Sequence, residues 1–533
     1  MSLLINNNGF SWFTTEKIKA KGYLFADSAL YSQSDILKYF SDIKNKADFV
    51  QKLQIANGSF AVVLEIDGII YAAVDKLRSI PLFFNVQTGQ ICDSIPLGID
   101  QPLNSDAVDS FLLTGYTVGN STLLDTYSQV QAGEYIVREE GATQRAFYYR
   151  HFQPTQKLAI ANYYKPLAEV SQRVFERLVE SCRDRTIIVP LSGGYDSRYI
   201  VGMLKKIGYK NVLCYTYGRE SSFEVEISKH VATQLGFPWH FVNYSEEKWH
   251  TYLNDKKWED YAFNYSSLPH CQEYLALKEL TEKHILPRDG IIVPGFCGDL
   301  LGGSYLPQEI ASDSFNELSQ VELSQYILRS HFNLDNEAKN LGTLYEAIRD
   351  DIQVAFAASE NDFISRNEEF FTRHKVAKFV VNSLRVYEYF GYEWRMPLWD
   401  DELTNFWYQI DYHKKIGKQL YDNFLFDFIF KEQNIAFKKG GANSVKKRLE
   451  RHKTLHRLAN AFYPQLSFVW RRFFKPRKYE DFNSFDVLYD ILAQDVLRQG
   501  VNKLPSKHNI NSIYSYWLIQ RLKQKQSGLQ IKT

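Results

Sequence analysis

The chain is poor in cysteine. Its 533 residues hold five thiols, Cys92, Cys182, Cys214, Cys271 and Cys297. They are scattered, and no two show a C-x-x-C or other metal-ligand spacing. So sparse and odd a set excludes a disulfide framework and fits a reducing compartment. Charge of one sign is lacking too: 63 Lys and Arg stand against 62 Asp and Glu, a net +1. That balance excludes a partner recognised by global charge, and no nucleic acid is expected. No run approaches the roughly eighteen uncharged apolar residues of a transmembrane helix. The opening "MSLLINNNGFSWFTTEK" lacks a basic start followed by an apolar run, so no signal peptide is expected. The expectation is a cytoplasmic protein without a transmembrane span. Internal repeats and low-complexity tracts are also missing.

The chain does have length, with room for three or four units of about 150 residues or for two larger ones. It also has aromatics, at 15% of residues, which we read as core and groove lining. The first part is strand-rich. "FAVVLEIDGIIYAAVDK" (60–76) is two apolar β-branched runs joined by Asp67-Gly68, a strong hairpin signal. "GEYIVRE" (133–139) and "AFYYRHF" (146–152) read as a second strand pair across a turn at Gly141. A short helix over 107–114 follows an Asp cap. From about 160 the period changes: helix "YYKPLAEVSQRVFERLVESC", strand "TIIVPL", helix "RYIVGMLKKIG", strand "NVLCYTYG", helix "EVEISKHVATQLG" and strand "WHFVNY" alternate. Alternation of that kind predicts a doubly wound parallel sheet. From about 310 to 440 the pattern is mostly helical. The expected division is a β-rich domain over 1–155 and an α/β domain over 156–533 whose part from about 440 is helical and basic.

The stretch "PLSGGYDSR" (190–198) closes the first parallel strand and opens a helix. Gly193 and Gly194 let backbone N–H groups approach an anion without a Cβ in the way, in the manner of an oxyanion nest. The helix N-terminus adds positive potential, and Ser192 and Ser197 add hydroxyl donors. Asp196 would repel a phosphate unless a divalent cation sat between them. The predicted ligand is therefore a magnesium-nucleotide polyphosphate. The loop is neither a Walker A loop, since its spacing and lysine are missing, nor the dinucleotide G-x-G-x-x-G.

This loop resembles the S-G-G-x-D-S pyrophosphate loop of the ATP pyrophosphatase group, and four further stretches resemble its asparagine-synthetase-like branch. They are "IIVPGFCGDLLGGSY" (291–305), "YEWRMPLWDDELTNF" (392–406), "ANGSFAVVLEIDGIIYAAVDKLRSIPLFF" (56–84) and "DAVDSFLLTGYTVGNSTLLDTYSQVQAGEYIV" (106–137). The resemblance implies an N-terminal Ntn-hydrolase-like β sandwich of the class II glutamine amidotransferase type, ahead of the synthetase domain. It implies that ATP adenylates a carboxylate, pyrophosphate leaves, and a nitrogen nucleophile displaces AMP. Ser192, Gly193, Gly194, Asp196 and Ser197 would hold the pyrophosphate, with Gly295 in the second loop. Asp196 and Asp299 would share Mg²⁺. Leu191, Tyr217 and Gly218 would flank adenine, and Glu226 matches an acidic position of the family. "AFKKGGANS" resembles the segment with the catalytic lysine, best matched by Lys439 beside Lys438, where a cation would offset charge at the α-phosphate. Arg395 and Asp400 would form a buried ion pair that orients the site.

The chain also departs from that family. Position 2 is Ser2 where the glutaminase needs cysteine, and a hydroxyl is the weaker nucleophile. The glutamine-binding stretches lack counterparts, so the domain is expected to keep its fold and lose glutamine hydrolysis. Phe296 stands where the family places a Glu three residues before the metal Asp, which argues against the standard asparagine reaction. Arg198 is a candidate contact for a different carboxylate. The expected activity is an ATP-dependent amide-forming ligase that acts on a peptide, glycan or small carboxylate with an amine or ammonia donor. The alternatives are asparagine synthetase itself, a non-catalytic nucleotide-binding scaffold, and tRNA thiolation or deamidation, the last weakened by the absence of paired cysteines. Residues 438–478 carry thirteen Lys or Arg against Glu450 alone, interleaved with aromatics. They read as a solvated basic face or as a contact for an anionic glycan-lipid or peptide.

Overall fold

A computed structural model describes residues 3–96, 101–152, 154, 157–160, 162–307, 323–334, 341–352, 360–437, 483–499, 504–505 and 509–526. The β-rich part begins with β1 (Leu3–Leu4), β2 (Trp12–Thr14), β3 (Ile18–Ala26) and β4 (Ala29–Ser32). Two helices follow, α1 (Asp35–Tyr39) and α2 (Lys46–Ile55), then β5 (Asn57–Ile66) and β6 (Ile69–Val74). Next come β7 (Phe83–Asn85), β8 (Ile91–Cys92), α3 (Ser105–Thr114), β9 (Tyr127–Gln129), β10 (Glu134–Glu139) and β11 (Ala142–Phe147).

These strands make two sheets. One is ordered β1-β8-β7-β9; the other runs β11-β10-β6-β5-β3-β2, with β4 paired to β3. All pairings are antiparallel except β1 with β8. The period of two sets the layers. Val62, Leu64 and Ala73 face α1 and α2 and pack with Phe40, Phe49 and Leu53. Their neighbours Ala61, Val63 and Ala72 face the other way and join Phe83 and Ile91 of the smaller sheet.

Both predicted hairpins form. Asp67 and Gly68 take left-handed backbone (φ 51° and 81°), as do Glu140 and Gly141 (φ 48° and 84°), which is the geometry of a tight two-residue turn. That turn corrects one boundary. Glu139 pairs with Ala142, so the return strand occupies 142–147, earlier than the expected 146–152. The cap of α3 is also corrected: Asn104, and no Asp, accepts from the Ala107 N–H.

The α/β part opens with α4 (Tyr164–Cys182), then β12 (Ile187–Pro190), α5 (Tyr195–Lys206), β13 (Val212–Gly218), α6 (Phe223–Leu235) and β14 (Trp239–Asn243). After further helices the chain adds β15 (Ile291–Ile292) and β16 (Glu393–Trp394). All five strands are parallel, ordered β14-β13-β12-β15-β16. Both faces are buried, which is why these strands read as continuous apolar runs. Ile187, Val189 and Ile291 enter one core cluster, Ile188 and Ile292 the other. Among the described residues the rest is mostly helical, including the two helices Phe485–Arg498 and Ile510–Gln526. No described helix is long and apolar enough to cross a membrane.

The two parts are pinned together by charge. Arg395 does not pair with Asp400, contrary to the expectation from sequence. Its guanidinium donates to the Ser181 and Trp394 carbonyls at 3.0 and 2.9 Å and pairs with Glu393 at 3.0 Å. It also lies 4.1 Å from the centre of the Tyr23 ring on β3. Asp400 instead binds Arg177 at 2.7 Å, accepts from the Asn57 side chain at 3.0 Å and caps the helix Asp401–Gln409. The short 3-10 turn Pro397–Trp399 lies between them, and each finds its own partners. Replacing Arg395 with Met takes one of its two arginine partners from Glu393, which keeps Arg185, and removes the donor to the buried Ser181 carbonyl. Arg395→Met is expected to cost about 3 kcal/mol or more, read as a lower unfolding midpoint in urea.

Candidate active site

Strand order fixes where a site can form. From β12 the chain winds outward through β13 and β14, then returns to lay β15 on the opposite side of β12. The reversal lies between β12 and β15, and crevices at the carboxyl ends of such strands are where ligands bind in this architecture. The loop 191–194 leaves β12 there, and Pro294–Asp299 follows β15. Between them opens a cleft of about 250 Å³.

The first loop is shaped by its serines. Ser192 N–H donates to the Ser197 hydroxyl at 3.1 Å, and Gly194 N–H to the Ser192 hydroxyl at 3.1 Å. No residue from 192 to 197 has positive φ, so this is not a nest of alternating handedness. Its glycines matter for space: a Cβ on Gly193 would stand 3.3 Å from Glu224. The anion-binding capacity comes from the first turn of α5.

The second loop is pressed against the first. Asp299 N–H donates to Asp196 Oδ2 at 3.0 Å. A Cβ on Gly298 would lie 2.5 Å from both Asp196 Cγ and the Tyr421 hydroxyl, and one on Gly295 2.7 Å from Ser197 N. Cys297, between them, is held left-handed at φ 74°, a conformation rare outside glycine. The Tyr421 hydroxyl donates to Asp196 Oδ1 at 2.9 Å. Lys418 Nζ pairs with Asp299 and lies 3.8 Å from Asp422.

The electrostatics follow from this packing. Burial, and then repulsion by Asp299, push the Asp196 carboxyl up to about 6 against the pull of Lys418 and Tyr421. Burial works to lower the Lys418 ammonium, but Asp196, Asp299 and Asp422 outweigh it and hold it above its ordinary value. Two carboxylates held against one another, one of them exposed, are a donor set for a hard divalent cation, which needs one or two carboxylates plus phosphate oxygens. On that ground Asp196 and Asp299 fit Mg²⁺. Among the described residues no group of three or more His, Cys, Asp or Glu could hold an ion without a ligand's help.

Leu191, Ser192, Gly194, Asp196, Ser197, Tyr217, Gly295 and Asp299 all line the cleft, as does Phe296. Gly193 and Gly218 do not. Gly218 ends β13 with φ 122° and its carbonyl accepts from Tyr244 N–H. Glu226 is exposed on α6, and it is Glu224, one pair earlier, that reaches the wall. Arg198 is turned away from any substrate. It is fully buried and donates to the carbonyls of Gly193, Ile435 and Phe437 at 3.0, 3.1 and 2.9 Å. It straps the first loop to the segment that leads into Lys438 and Lys439. Those two lysines and the basic tract 438–478 lie outside the described residues, as does Ser2.

Lys418, Tyr421, Gln272 and Glu273 also line or border the cleft, and no motif in the sequence pointed to them. Lys418 and Tyr421 stand three apart at the start of a helix, an ordinary spacing. Glu273 lies on the cleft wall and takes hydrogen bonds from Tyr215 and Tyr387 at 2.6 and 2.9 Å. Burial pushes its carboxyl up to about 7 despite those two donors.

The winding order and the two facing loops define a class: a doubly wound α/β domain with a cleft at its switch point. Residues 172–425 match the family described as asparagine synthase, and this part of the chain is similar to that family. The NH3-dependent NAD synthetase from Campylobacter jejuni subsp. jejuni NCTC 11168, solved with a nitrate ion, is similar at 13% identity over 36% of this chain and 94% of its own, with a TM-score of 0.20. No curated protein sequence matches the chain.

Two outcomes are expected. Gly298→Ala drives a methyl group into Asp196 and Tyr421, at a cost of about 1–3 kcal/mol; calorimetric titration should show weaker nucleotide binding along with a lower melting point. Glu273 binds its proton more tightly folded than unfolded. Its share of stability is therefore full below about pH 4.5 and is lost as pH rises to about 7. Glu273→Gln removes that loss. Relative to the parent, the variant should gain on the order of 3 kcal/mol between pH 4.5 and pH 8, read from urea midpoints at the two pH values.

Proposed function

We propose that the cleft binds ATP with Mg²⁺ and activates a carboxylate for amide formation. The matched family supports an ATP-using, amide-forming ligase. The observation that carries the reading is the meeting of two loops at the switch point, with Asp196 bonded to the backbone of Asp299 and a lysine alongside.

In this reading the N–H groups of the first turn of α5, with Ser192 and Ser197, hold the β- and γ-phosphates. Leu191 and Tyr217 border the adenine. Asp196 and Asp299 hold Mg²⁺, which when bound neutralises phosphate charge. Lys418 then stands as a fixed cation at the phosphates, its carboxylate partner being engaged elsewhere. The substrate carboxylate oxygen attacks the α-phosphorus, the bond to the β-phosphate oxygen breaks, and pyrophosphate leaves. A nitrogen nucleophile then attacks the acyl carbon, the bond to AMP breaks, and the nitrogen gives up a proton. Lys439 is assigned to the α-phosphate by its resemblance alone.

The domain division at 155 and 156 belongs to the same proposal, with the β-rich part a glutaminase-like fold that has lost glutamine hydrolysis. The nitrogen is then free ammonia or an amine carried by a substrate. Phe296, on the cleft wall where the family has an acid, favours this over the aspartate reaction.

The test is ATP–pyrophosphate exchange with a panel of carboxylates. Asp196→Asn should lower exchange about a hundredfold or more without loss of fold. Exchange that survives this change would remove the site from the reaction. Binding of ATP with no exchange on any carboxylate would make the chain a nucleotide-binding scaffold.

A further inference from the structure

A second cavity, of about 140 Å³, adjoins the cleft and shares Asp196, Gly295, Phe296 and Asp299 with it. A molecule in the cavity therefore reaches the reacting end of the cleft past Phe296. The rest of its described wall is Cys297, Leu300, Tyr305, Val376 and Val380. Among the described residues its charged groups are Asp196 and Asp299 alone, both at the shared end, and no cation lines it.

The nearby bases do not change this. Lys375 is occupied by ring faces, with Nζ 5.6 Å from the centre of Tyr305 and 5.1 Å from that of Phe371. His331 packs on Phe371 at 5.1 Å, and burial lowers its imidazole to about 4, so it is neutral. Cys297 is a buried free cysteine and packs as a small apolar group. A second carboxylate taken into this space would lose its water and, among the described lining residues, meet no cation, which is strongly unfavourable. The size is telling as well: an apolar cavity of about 150 Å³ holds a benzene-sized body. Val376 and Val380 come from the wide-turned π-helix Thr372–Val380, a geometry found frequently at functional sites.

We infer that this cavity is the acyl pocket of the proposed ligase and that it takes a monocarboxylate whose body is apolar and about the size of a benzene ring. Acids that carry a second carboxylate, such as aspartate, and sugar acids are disfavoured. The inference rests on the ligase reading for its carboxylate end, and on the wall chemistry for the rest.

The experiment measures binding and turnover separately on the full chain. Calorimetric titration with 3-phenylpropionate, L-aspartate and glucuronate is run in the presence of magnesium and a non-hydrolysable ATP analogue, and ATP–pyrophosphate exchange is run with the same acids. Phenylpropionate should bind about tenfold or more tightly than either polar acid. Val376→Phe, which fills the cavity from a residue outside the nucleotide cleft, should weaken phenylpropionate by about tenfold or more and leave affinity for the analogue unchanged. Val380→Phe stands in should the first variant fail to bind the analogue. No binding of phenylpropionate, equal binding of aspartate or glucuronate, or indifference of both variants would overturn the inference. Exchange on aspartate alone overturns it while the ligase reading stands. Cavity-dependent binding without exchange on any acid keeps the apolar pocket and sinks the ligase.

Discussion

Asp196 and Asp299 are more than one hundred residues apart in the chain, yet the backbone N–H of one donates to the side chain of the other. Two carboxylates so placed repel, and burial makes the repulsion worse. The structure holds them together with a hydrogen bond, the Tyr421 hydroxyl and the Lys418 ammonium. Nearly everything about the cleft follows from keeping this unfavourable pair in place. Gly295 and Gly298 are there because any Cβ would collide with the first loop. Cys297 is held in a left-handed conformation by the tight path between them. A pair held against its own electrostatics is poised to accept positive charge, which gives the site its chemical direction.

That constraint is set by the sheet. The loops meet because β12 and β15 are neighbours, pairing Ile187 with Ile291 and Ile188 with Ile292. A short central strand buried on both faces, with Ile188 in one core and Ile187 and Val189 in the other, has little freedom to shift register. Arg198 extends the control to a third segment. Its guanidinium fork joins Gly193 to Ile435 and Phe437 through carbonyls alone, work that a lysine's single ammonium could not do with the same geometry.

What could be read in the residues divides along physical lines. The hairpins, the alternation of strand and helix and the loop that joins β12 to α5 were all legible, because each is a local pattern: Asp-Gly turns, a change of period, glycines between a strand and a helix. The partners of charged side chains were not. Arg395 and Asp400 were expected to pair by the resemblance of their segment, yet one faces Tyr23 of the β-rich sheet and the other Arg177 of α4. Glu224 lines the cleft while Glu226 is exposed, because two residues along a helix turn a side chain most of the way round to the other face. Lys418, Tyr421 and Glu273 arrive from helices whose sequences hold only ordinary amphipathic spacing. Their role exists only once the sheet has brought distant segments together.

The β-rich layers have a place in this even without chemistry of their own. Ala61, Val63, Phe83 and Ile91 belong to the same contiguous apolar cluster as Ile188, Tyr215, Val242 and Ile292 on one face of the parallel sheet. Charged contacts repeat the link at the edge, Lys76 with Asp401 at 2.5 Å and Asn57 with Asp400 at 3.0 Å. Losing such layers would leave one face of the α/β core uncovered, and with it the support beneath β12 and β15. Selection acting only on the cleft would therefore keep the β-rich sheets for the area they bury. A side chain needed solely to cleave a second substrate lies outside that constraint and is free to change.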